Sequence, residues 1–562
     1  MRRQRRGLQL LALILGLSLV AAGCGGDDDE GEEGGAQETE GEVPEGGTLV
    51  LGAEQEPECA DWISSCAGAS WGFWTMTVNT MPRSFDIVEG DDGGWAYEAS
   101  SLLEGEPEVE DDPQVITYEI SDDAVWSDGE PITCADYEYT WDQIVNGTDI
   151  YDTTGYADIE SVECPDDKQV VVTFSQPYSA WKQLFGGQYG IYPSHILEGQ
   201  DRNAAMADGY DFSGGPWVID NWDKGVEVSL VPNENYWGEQ PKLDRVVFRF
   251  LADTSAEFQA FKAGEVKAIY PQPQLDAVAE IEAGIPNTQS DFTSETPNTE
   301  ALWMNNERFP FDSVAVRQAF AYSLDRAAIV ERLFGALGVT EPLNAFNAPI
   351  LGEFGAPDAF ADYEQDLAMV DELMEGDGWE KGGDDIWAKD GERAVVEFKT
   401  TSGNARRELT QQIVQEQAGE AGFEVTINNR EAGDLFGSDL PAGDYQMALY
   451  AQVMTGLDPT LCNIFCSKNV PSEENQQTGQ NWTRTIVDGL DEPLETVDVE
   501  LDREVQSEAQ AEADEIMAEA MVSLPLDPLP NILLWSDDIV GPVEQNPIFG
   551  PFYNMEQWGV NA

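Results

Sequence analysis

The sequence has few basic residues and a single histidine, and these two shortages exclude several functions. Only 28 lysines and arginines stand against 108 aspartates and glutamates, which gives a formal net charge of −80. A surface this negative repels nucleic acid and anionic lipid, so we expect neither as a direct partner. Because His195 is the one histidine, a metal site with two histidine ligands cannot form. We predict neither a metal nor a cofactor.

Phosphate-binding glycine motifs are also missing from the sequence. Neither G-x-x-x-x-G-K-[ST] nor G-x-G-x-x-G occurs, and these patterns place backbone N–H groups around nucleotide phosphates. A serine hydrolase would have to build its triad around His195, which lies in Tyr192-Pro193-Ser194-His195. We predict that the chain is not an enzyme, and we keep a secreted hydrolase and a surface adhesion protein as alternatives.

Apolar residues are plentiful enough for packed cores despite the charge. Hydrophobic residues make up 41% of the chain and aromatic residues 10%, including 16 tryptophans. This composition argues against disorder outside local segments. The length of 562 residues favours several domains over one.

The N-terminus has the composition of a bacterial lipoprotein signal. Arginines within the first six residues precede an apolar run over 8–22, which is short for a membrane span and fits the core of a signal peptide. The run ends in Ala21-Ala22-Gly23-Cys24, which resembles a lipobox. We predict a signal peptide over 1–23, lipidation of Cys24 and an acidic, glycine-rich tether over 24–47, with an incidental Cys24 as the alternative.

Six further cysteines lie as three neighbouring pairs. They are Cys59 and Cys66, Cys134 and Cys164, and Cys462 and Cys466. An even number in an extracytoplasmic protein predicts disulfides, and we predict that neighbours are joined, although other pairings are open. Cys462 and Cys466 could instead form half of a zinc site, but no histidine or second close pair follows to complete it.

The acidity has two explanations. At about 1 M salt the Debye length falls to roughly 3 Å, so the repulsion among the acids would largely disappear. We therefore predict adaptation to a salty habitat. The alternative is an acidic surface that serves only solubility.

Strand and helix patterns alternate along the body. We predict a strand over 115–120, a capping box at Thr133 to Asp136 that starts a helix, and a hairpin of 159–163 with 170–174. Asp312 and Asp325 are predicted to cap two further helices. Two βαβ units are predicted, and their strands and helices lie at 246–250, 255–263 and 266–270, and at 395–399, 406–420 and 423–427. The second helix should face inward with Leu409 and Ile413.

Several motifs occur in the order found in one protein family. They are Ala124-Val125-Trp126-Ser127-Asp128-Gly129-Glu130-Pro131-Ile132-Thr133-Cys134-Ala135-Asp136, Ser213-Gly214-Gly215-Pro216-Trp217, Asn233-Glu234-Asn235-Tyr236-Trp237, Val316-Arg317-Gln318-Ala319-Phe320 and Ser323-Leu324-Asp325-Arg326. Together they resemble the extracytoplasmic solute-binding proteins of family 5, the peptide- and nickel-binding type of bacterial ABC importers. The resemblance covers nearly the whole chain after the signal peptide.

The resemblance implies an α/β fold of the two-lobed periplasmic-binding-protein type with an inserted subdomain. The implied ranges are 48–75, 206–296 and 524–562 for lobe I, 76–205 for the insertion and 297–523 for lobe II. The lobes would turn about connections near Pro297 and Pro525 and close on a ligand. The implied partners are a small solute or peptide and the permease and ATPase of the importer, with the chain itself a monomer.

The cleft between the lobes implies a set of candidate ligand contacts. Aromatic side chains give flat contact area at low entropic cost, and Asp458 could attract a cation. The segment 449–459 resembles the family's cleft loop W-x-x-D-x-x-D-P. The predicted contacts are Trp71, Trp74, Trp303, Asn305, Tyr450, Gln452 and Asp458. For each of them the alternative is a place in the core or in a turn.

The cleft loop departs from the family pattern at one important position. In peptide binders the first aspartate of the loop holds the amino terminus of the peptide. Thr455 takes its place here, and Gln452 takes the place of the tryptophan. We therefore expect an oligopeptide held in a different way, or another solute such as a sugar or an opine.

Overall fold

The computed structural model describes residues 43–64, 70–90, 94–187, 189–472 and 479–561. The predicted signal peptide, the lipidated Cys24, nearly all of the tether and Cys66 lie outside these residues. All described residues belong to one compact unit, 41–562. Among them, no helix is both long and apolar enough to cross a lipid bilayer.

Strands are distributed along the whole described chain. They are β1 (Thr48–Ala53), β2 (Phe85–Glu89), β3 (Trp95–Ala99), β4 (Glu108–Asp111), β5 (Gln114–Glu119), β6 (Ile159–Asp166), β7 (Gln169–Phe174), β8 (Trp217–Asp223), β9 (Glu227–Pro232), β10 (Arg245–Phe250), β11 (Ala268–Ile269), β12 (Thr288–Thr293), β13 (Asn298–Met304), β14 (Glu380–Lys381), β15 (Trp387–Lys389), β16 (Glu392–Arg393), β17 (Val395–Lys399), β18 (Glu424–Ile427), β19 (Met447–Val453), β20 (Leu524–Pro528), β21 (Asn531–Ser536), β22 (Ile539–Val540) and β23 (Gly559–Val560).

Helices alternate with these strands. They are α1 (Ser70–Gly72), α2 (Val78–Thr80), α3 (Cys134–Asn146), α4 (Ser194–Leu197), α5 (Arg202–Met206), α6 (Thr254–Lys262), α7 (Leu275–Ala283), α8 (Val314–Tyr322), α9 (Arg326–Phe334), α10 (Leu367–Gly376), α11 (Ala405–Ala421), α12 (Ala432–Asp434), α13 (Leu440–Ala442), α14 (Cys462–Phe465), α15 (Asp491–Val499) and α16 (Arg503–Ala520). Short 3-10 turns lie at Tyr156–Asp158, Trp181–Gln183, Gly335–Leu337, Pro349–Leu351, Ser467–Asn469 and Met555–Gln557, and π-helical turns lie at Phe73–Thr77 and Leu435–Asp439.

One sheet has the strand order β1-β10-β9-β8, with β1 parallel to β10 and the other pairs antiparallel. The prediction of a βαβ unit from β10 through α6 was wrong, because β11 does not return to this sheet. It pairs antiparallel with β21, a strand from far along the chain, in a sheet of order β11-β21-β12. The predicted elements exist, but a distant partner strand decided their pairing.

A five-stranded sheet has the order β18-β17-β19-β13-β20. Here the predicted βαβ unit is confirmed, because β17 runs parallel to β18 and α11 is the crossover between them. The inward face of α11 differs from the prediction: Leu409 and Ile413 are half-buried, whereas Arg406, Thr410 and Val414 are fully buried.

An antiparallel sheet of order β4-β5-β7-β6 contains the predicted hairpin, whose strands are β6 and β7. The helix α3 begins with the predicted capping box: the Thr133 N–H donates to the Asp136 carboxylate, while the Thr133 side chain accepts from the helix. The Cys134–Cys164 disulfide, with Cα atoms 5.6 Å apart, ties α3 to β6. The element and its crosslink were both predicted correctly.

The second described disulfide joins Cys462, the first residue of α14, to Cys466, which directly follows this helix. The alternative of a zinc half-site at these two cysteines is therefore wrong. Cys59 is also disulfide-bonded, and its predicted partner Cys66 lies outside the described residues. Of the two predicted caps, Asp325 is confirmed, since its carboxylate accepts from the Ala328 N–H at 2.9 Å. The cap predicted at Asp312 is wrong, because α8 begins one residue later and its N-cap residue is Ser313.

Two apolar cores underlie the sheets, and a double connection joins the sheet of β12 to the sheet of β13. One core surrounds β13 and β19 and extends to β11 and β21, and the other joins β1 to the antiparallel sheet of β5 and β7. The chain crosses from β12 to β13 over 294–297 and back from β20 to β21 over 529–530. These crossings are side by side, since Thr293 pairs with Asn531 and Thr299 with Pro528.

Candidate ligand-binding cleft

A cleft of about 1110 Å³ opens where the two parallel strand pairs end. Glu54 directly follows β1, and Thr254 comes shortly after β10. Across the cleft, Arg407 lies in the first turn of α11, behind β17, and Thr455 follows β19. The carboxyl ends of parallel strands meet at one edge of a sheet, so the loops that follow them converge on the same space.

Aromatic rings form part of both walls. Trp71 and Trp74 lie with ring centroids 5.5 Å apart, and Tyr270 packs edge-on to Trp74 at 5.2 Å. Phe436 lies on the opposite wall. Trp74 and Phe436 each belong to a π-helical turn, a widened helical turn that is common at functional sites. The cleft therefore offers flat apolar surfaces from two sides.

Glu54 brings a carboxylate to this apolar space. Burial raises its pKa, and two donors partly offset that effect: the Gln272 N–H at 2.9 Å and the Thr254 hydroxyl at 3.1 Å. Behind it, Glu257 is fully buried, and neither of its carboxylate oxygens has a partner among the described residues. Burial, followed by the charge of Glu54, raises the pKa of Glu257 well above its usual range. A cation near Glu54 would relieve this excess of negative charge.

Arg407 is the one basic side chain among the described residues that line the cleft. Its guanidinium contacts the Glu300 carboxylate, with Nε 2.7 Å and Nη2 2.6 Å from Oε1. Arg406 binds the same carboxylate from the other side. Burial acts to raise the pKa of Glu300, but the two arginines outweigh it and lower the pKa to about 2. Arg407 is thus held by a carboxylate that it shares with Arg406, so one negative charge faces two guanidinium groups.

The sequence profile of the bacterial extracellular solute-binding proteins, family 5 Middle, matches residues 99–469, about two thirds of the chain. The chain belongs to family 5 of the bacterial extracellular solute-binding proteins. The family serves ABC importers of peptides and nickel.

Relatives of this chain include proteins that are named as oligopeptide-binding. The oligopeptide-binding protein OppA of Bacillus subtilis is 24% identical over 93% of this chain and 94% of its own length. OppA of Mycobacterium tuberculosis is 26% identical over 67% of this chain and 64% of its own length, and protein XP55 of Streptomyces lividans is 25% identical over 57% of each. The chain thus spans less than two thirds of the length of the last two.

Solved family 5 structures share the fold. The periplasmic EDTA-binding protein EppA superposes with a TM-score of 0.82 at 22% identity and covers 93% of this chain and 98% of its own. AppA of Bacillus subtilis, solved with a nonapeptide, superposes with a TM-score of 0.73 at 20% identity over 93% of this chain and all of its own. The predicted two-lobed α/β fold is therefore confirmed.

The structure brings two of the predicted contacts, Trp71 and Trp74, into the cleft wall of this family 5 protein. It places three others in the core instead. Trp303 stacks on Tyr450 at 5.0 Å and donates its indole N–H to the Tyr450 carbonyl at 2.9 Å. Asn305 is fully buried and donates to the carbonyls of Gly443 and Tyr445. These three side chains are buried around β13 and β19 and do not line the cleft.

The remaining predicted residues lie beside the cleft. Gln452 is half-buried on β19, between Ala451 and Val453, which do line it. Asp458 accepts from the Gln183 amide at 3.1 Å and lies 3.5 Å from Arg503. Asp458 therefore links its own loop to the 3-10 turn Trp181–Gln183 and to the first residue of α16. Thr455, at the position of the family's first loop aspartate, is exposed to the cleft.

Sequence reasoning missed Glu54, Arg407 and Phe436. Glu54 was hidden among 108 acidic residues, but its place directly after a strand of the sheet edge was a usable signal. The pair Arg406-Arg407 at the start of a predicted helix was a second signal. Basic residues there oppose the helix dipole, so they need an acidic partner from elsewhere. Phe436 carries no signal of this kind.

The histidine belongs to a different part of the molecule. His195 Nε2 lies 3.0 Å from Asp128 Oδ2, and both side chains are partly exposed. Among the described residues no serine hydroxyl is bonded to His195; that of the neighbouring Ser194 donates to Asp136 at 2.7 Å. The arrangement gives no support to a triad at this residue.

Proposed function

We propose that this chain is the substrate-binding lipoprotein of an ABC importer, held by Cys24 at the outer face of the cytoplasmic membrane. It captures a solute in the cleft and presents it to the permease and ATPase of the importer. The single observation that carries the proposal is the cleft of about 1110 Å³ at the strand ends of two sheets. Sites of this size at strand ends are where α/β proteins bind small ligands.

The lining favours a ligand with a positive group and an apolar body. Glu54 supplies the carboxylate, and Trp71, Trp74 and Phe436 supply apolar surface. A peptide with a free amino terminus fits this description, with Glu54 taking the part of the loop aspartate that Thr455 replaces. The names of the OppA relatives point in the same direction.

An anionic metal chelate fits the lining poorly. EppA is described as an EDTA-binding protein, and EDTA complexes carry carboxylates. In this chain such a ligand would face Glu54, Glu56 and Glu58, while Arg407 is already bonded to Glu300. Like charges that are brought together in a cleft disfavour binding. We therefore infer a cationic rather than an anionic ligand.

Capture follows from turning of the two lobes about the double crossing. We propose lobe I from 48–75, 206–296 and the tail, an insertion over 76–205, and lobe II from 297. Because β20 pairs with β13 in the five-stranded sheet, the return crossing lies at 529–530, beyond Pro525. To move an open form from 1:99 to 99:1 closed, a ligand must bind the closed form more tightly by about 5.5 kcal/mol.

The test is calorimetric titration of the purified protein with tri-, tetra- and penta-alanine, each with a free or an acetylated amino terminus. We expect saturable binding of a free-amine peptide and at least about tenfold weaker binding of its acetylated form, because Glu54 loses its cation. The Glu54→Gln variant should lose this difference, and the peptide should be recovered uncleaved.

A matched control is Glu108→Gln, which removes one negative charge on the exposed strand β4, outside the cleft. It should bind as the original chain does. Tighter binding of Fe(III)-EDTA than of any peptide would contradict the proposed ligand class. Cleavage of the peptide by the protein would favour the hydrolase alternative.

A further inference from the structure

A second cavity, of about 800 Å³, lies apart from the cleft. It is lined by β2 and its surroundings, by the motif residues Tyr236 and Trp237, and by the C-terminal segment 544–557. The proposed function uses none of these side chains. The volume is within the usual range for small-molecule sites.

A short loop separates this cavity from the cleft. Within 546–550, Ile548 lines the cleft and its neighbour Phe549 lines the second cavity. The buried Asn546 holds the loop: its Oδ1 accepts from the N–H groups of Ile548 and Phe549, and its Nδ2 donates to the Ile87 carbonyl at 2.8 Å. Pro547, next to Ile548, lines both spaces, so the loop is a wall that the two spaces share.

The charges around the second cavity are unbalanced. Six acidic side chains and one basic side chain line it among the described residues. Asp86 is exposed in the cavity and accepts no hydrogen bond from the described residues. The basic residue, Arg83, lies over the Phe549 ring at 4.5 Å and donates to the Val78 carbonyl, and it forms no ion pair within the described chain.

Buried polar atoms at the cavity also lack partners. Gln545 lines the cavity and is 7% exposed. Its Nε2 donates to the Asp291 carbonyl, but its Oε1 has no partner among the described residues. The Oε2 atom of Glu556 is likewise buried without a partner there. Both oxygens accept hydrogen bonds, so the missing group is a donor.

Aromatic rings complete the lining. Tyr236 and Trp237 lie with centroids 5.1 Å apart, and Trp237 is fixed by a hydrogen bond from its indole N–H to the Ser101 carbonyl at 3.0 Å. Trp95 lines the same cavity. Tryptophan and tyrosine faces attract organic cations, especially where carboxylates exclude competing anions.

We propose that this second cavity binds a small organic cation, an amine or ammonium group on an apolar body, independently of the ligand in the cleft. The carboxylates of Asp86, Glu544 and Glu556 neutralise its charge, and the rings of Trp95, Tyr236 and Trp237 hold its apolar body. Desolvation inside the cavity raises the pKa of Asp86, although the charge of Arg83 partly offsets this, and it also raises the pKa of Glu556. A bound cation stabilises the ionised form of both.

The test uses benzylammonium, which carries N–H donors, as the probe and ethylbenzene as its uncharged analogue. Calorimetric titration in about 0.5 M NaCl screens unspecific attraction to the acidic surface. We expect a saturable site for the cation that persists in the Glu54→Gln variant, and no binding of the analogue. The variants Asp86→Asn and Glu544→Gln should each weaken binding at least about tenfold, since each removes a negative charge from the cavity. Trp237→Leu, which removes a ring, should also weaken it.

Two controls locate the site. Glu108→Gln, on the exposed strand β4 and outside both spaces, should leave binding of the probe unchanged. The Glu54→Gln variant weakens any binding of the probe in the cleft, and the site in the second cavity should remain in it. Melting temperatures of all variants show whether each is folded, and two independent acidic variants keep the test decisive if one fails to fold. Absence of saturable binding, or loss of binding in Glu54→Gln with retention in Asp86→Asn, would overturn the proposal.

Discussion

At the residue scale, two buried carboxyl groups show opposite effects of their surroundings. Glu300 lies between two arginines, which hold its pKa at about 2 despite its burial. Asp514, on α16, is also fully buried, but its neighbours are neutral: the Ala356 N–H and the Gln510 amide, each at 2.8 Å. Burial raises its pKa to about 7. Asp514 therefore opposes folding when it is ionised.

We predict that Asp514→Asn stabilises the protein at pH 8 and has little effect at pH 4. The folded pKa of Asp514 lies above its unfolded value of about 3.9, so its contribution to stability decreases as the pH rises from about 4 to 7. Three pKa units correspond to about 4 kcal/mol at most. The amide can donate to Gln510 Oε1, which has no partner among the described residues.

The measurement is the melting temperature of both proteins across this pH range. The two curves should separate as the pH rises. Glu300→Gln is the contrasting variant. The folded pKa of Glu300 lies below its unfolded value, so its stabilisation exists above about pH 4 and is lost towards pH 2, and the variant should be less stable at neutral pH. Parallel curves for Asp514→Asn would contradict the assignment.

The positions of single residues were predictable only where their sequence context is distinctive. Trp71 and Trp74 were expected in the cleft because paired tryptophans in a small-residue stretch stand out. Glu54 was not, since an acidic side chain is ordinary here and its burial is set by β10 and α6, which are distant in sequence. Trp303 was predicted in the cleft but lies in the core. The sequence could not distinguish the two places, because a tryptophan fits a core and a cleft equally well.

At the scale of elements, two disulfides crosslink very different lengths of chain. Cys134 and Cys164 are 30 residues apart and join α3 to β6, whereas Cys462 and Cys466 are 4 residues apart, at the start of α14 and directly after its end. In the chain-entropy description a crosslink restricts the unfolded chain more when its loop is longer. The two bonds should therefore stabilise the fold unequally.

We predict that replacing Cys134 and Cys164 by serine lowers the free energy of unfolding by about 3 to 4 kcal/mol, and replacing Cys462 and Cys466 by about 2 kcal/mol. Urea unfolding of both double variants beside the original chain measures the difference. An equal loss in both, or a larger loss for the short loop, would contradict the entropic explanation for these bonds.

Local elements were predicted well, and their partners were not. The capping box at Thr133, the hairpin of β6 and β7 and the crossover through α11 depend on residues close in sequence. The pairing of β11 with β21 joins residues more than 260 positions apart, which no local pattern reveals. The buried face of α11 was also hidden, because Arg406 and Thr410 are polar and their burial depends on Glu300 and the sheet.

At the scale of the whole molecule, the net charge of −80 is the dominant property. Charges of one sign on a folded body repel each other and disfavour the compact state. The Debye length falls from about 10 Å at 0.1 M salt to about 3 Å at 1 M, so added salt removes most of this repulsion.

We predict that the melting temperature rises steadily with NaCl between about 0.1 and 1 M. The rise should shrink near pH 4, where many carboxylates are protonated and less repulsion remains to be screened. Scanning calorimetry at both pH values measures it. A flat response at neutral pH would favour an acidic surface that serves only solubility.

The paired crossings, 294–297 and 529–530, lie side by side and join the two halves of the molecule along one line. The Leu529 N–H donates to the Asn298 carbonyl at 3.1 Å, so the two crossings are hydrogen-bonded to each other next to the sheets that they connect. Two halves that are joined along one line can rotate apart about that line, but they resist sliding past each other. We therefore expect a ligand to enter and leave on the side opposite the two crossings, and the permease of the proposed importer to contact the molecule on that side.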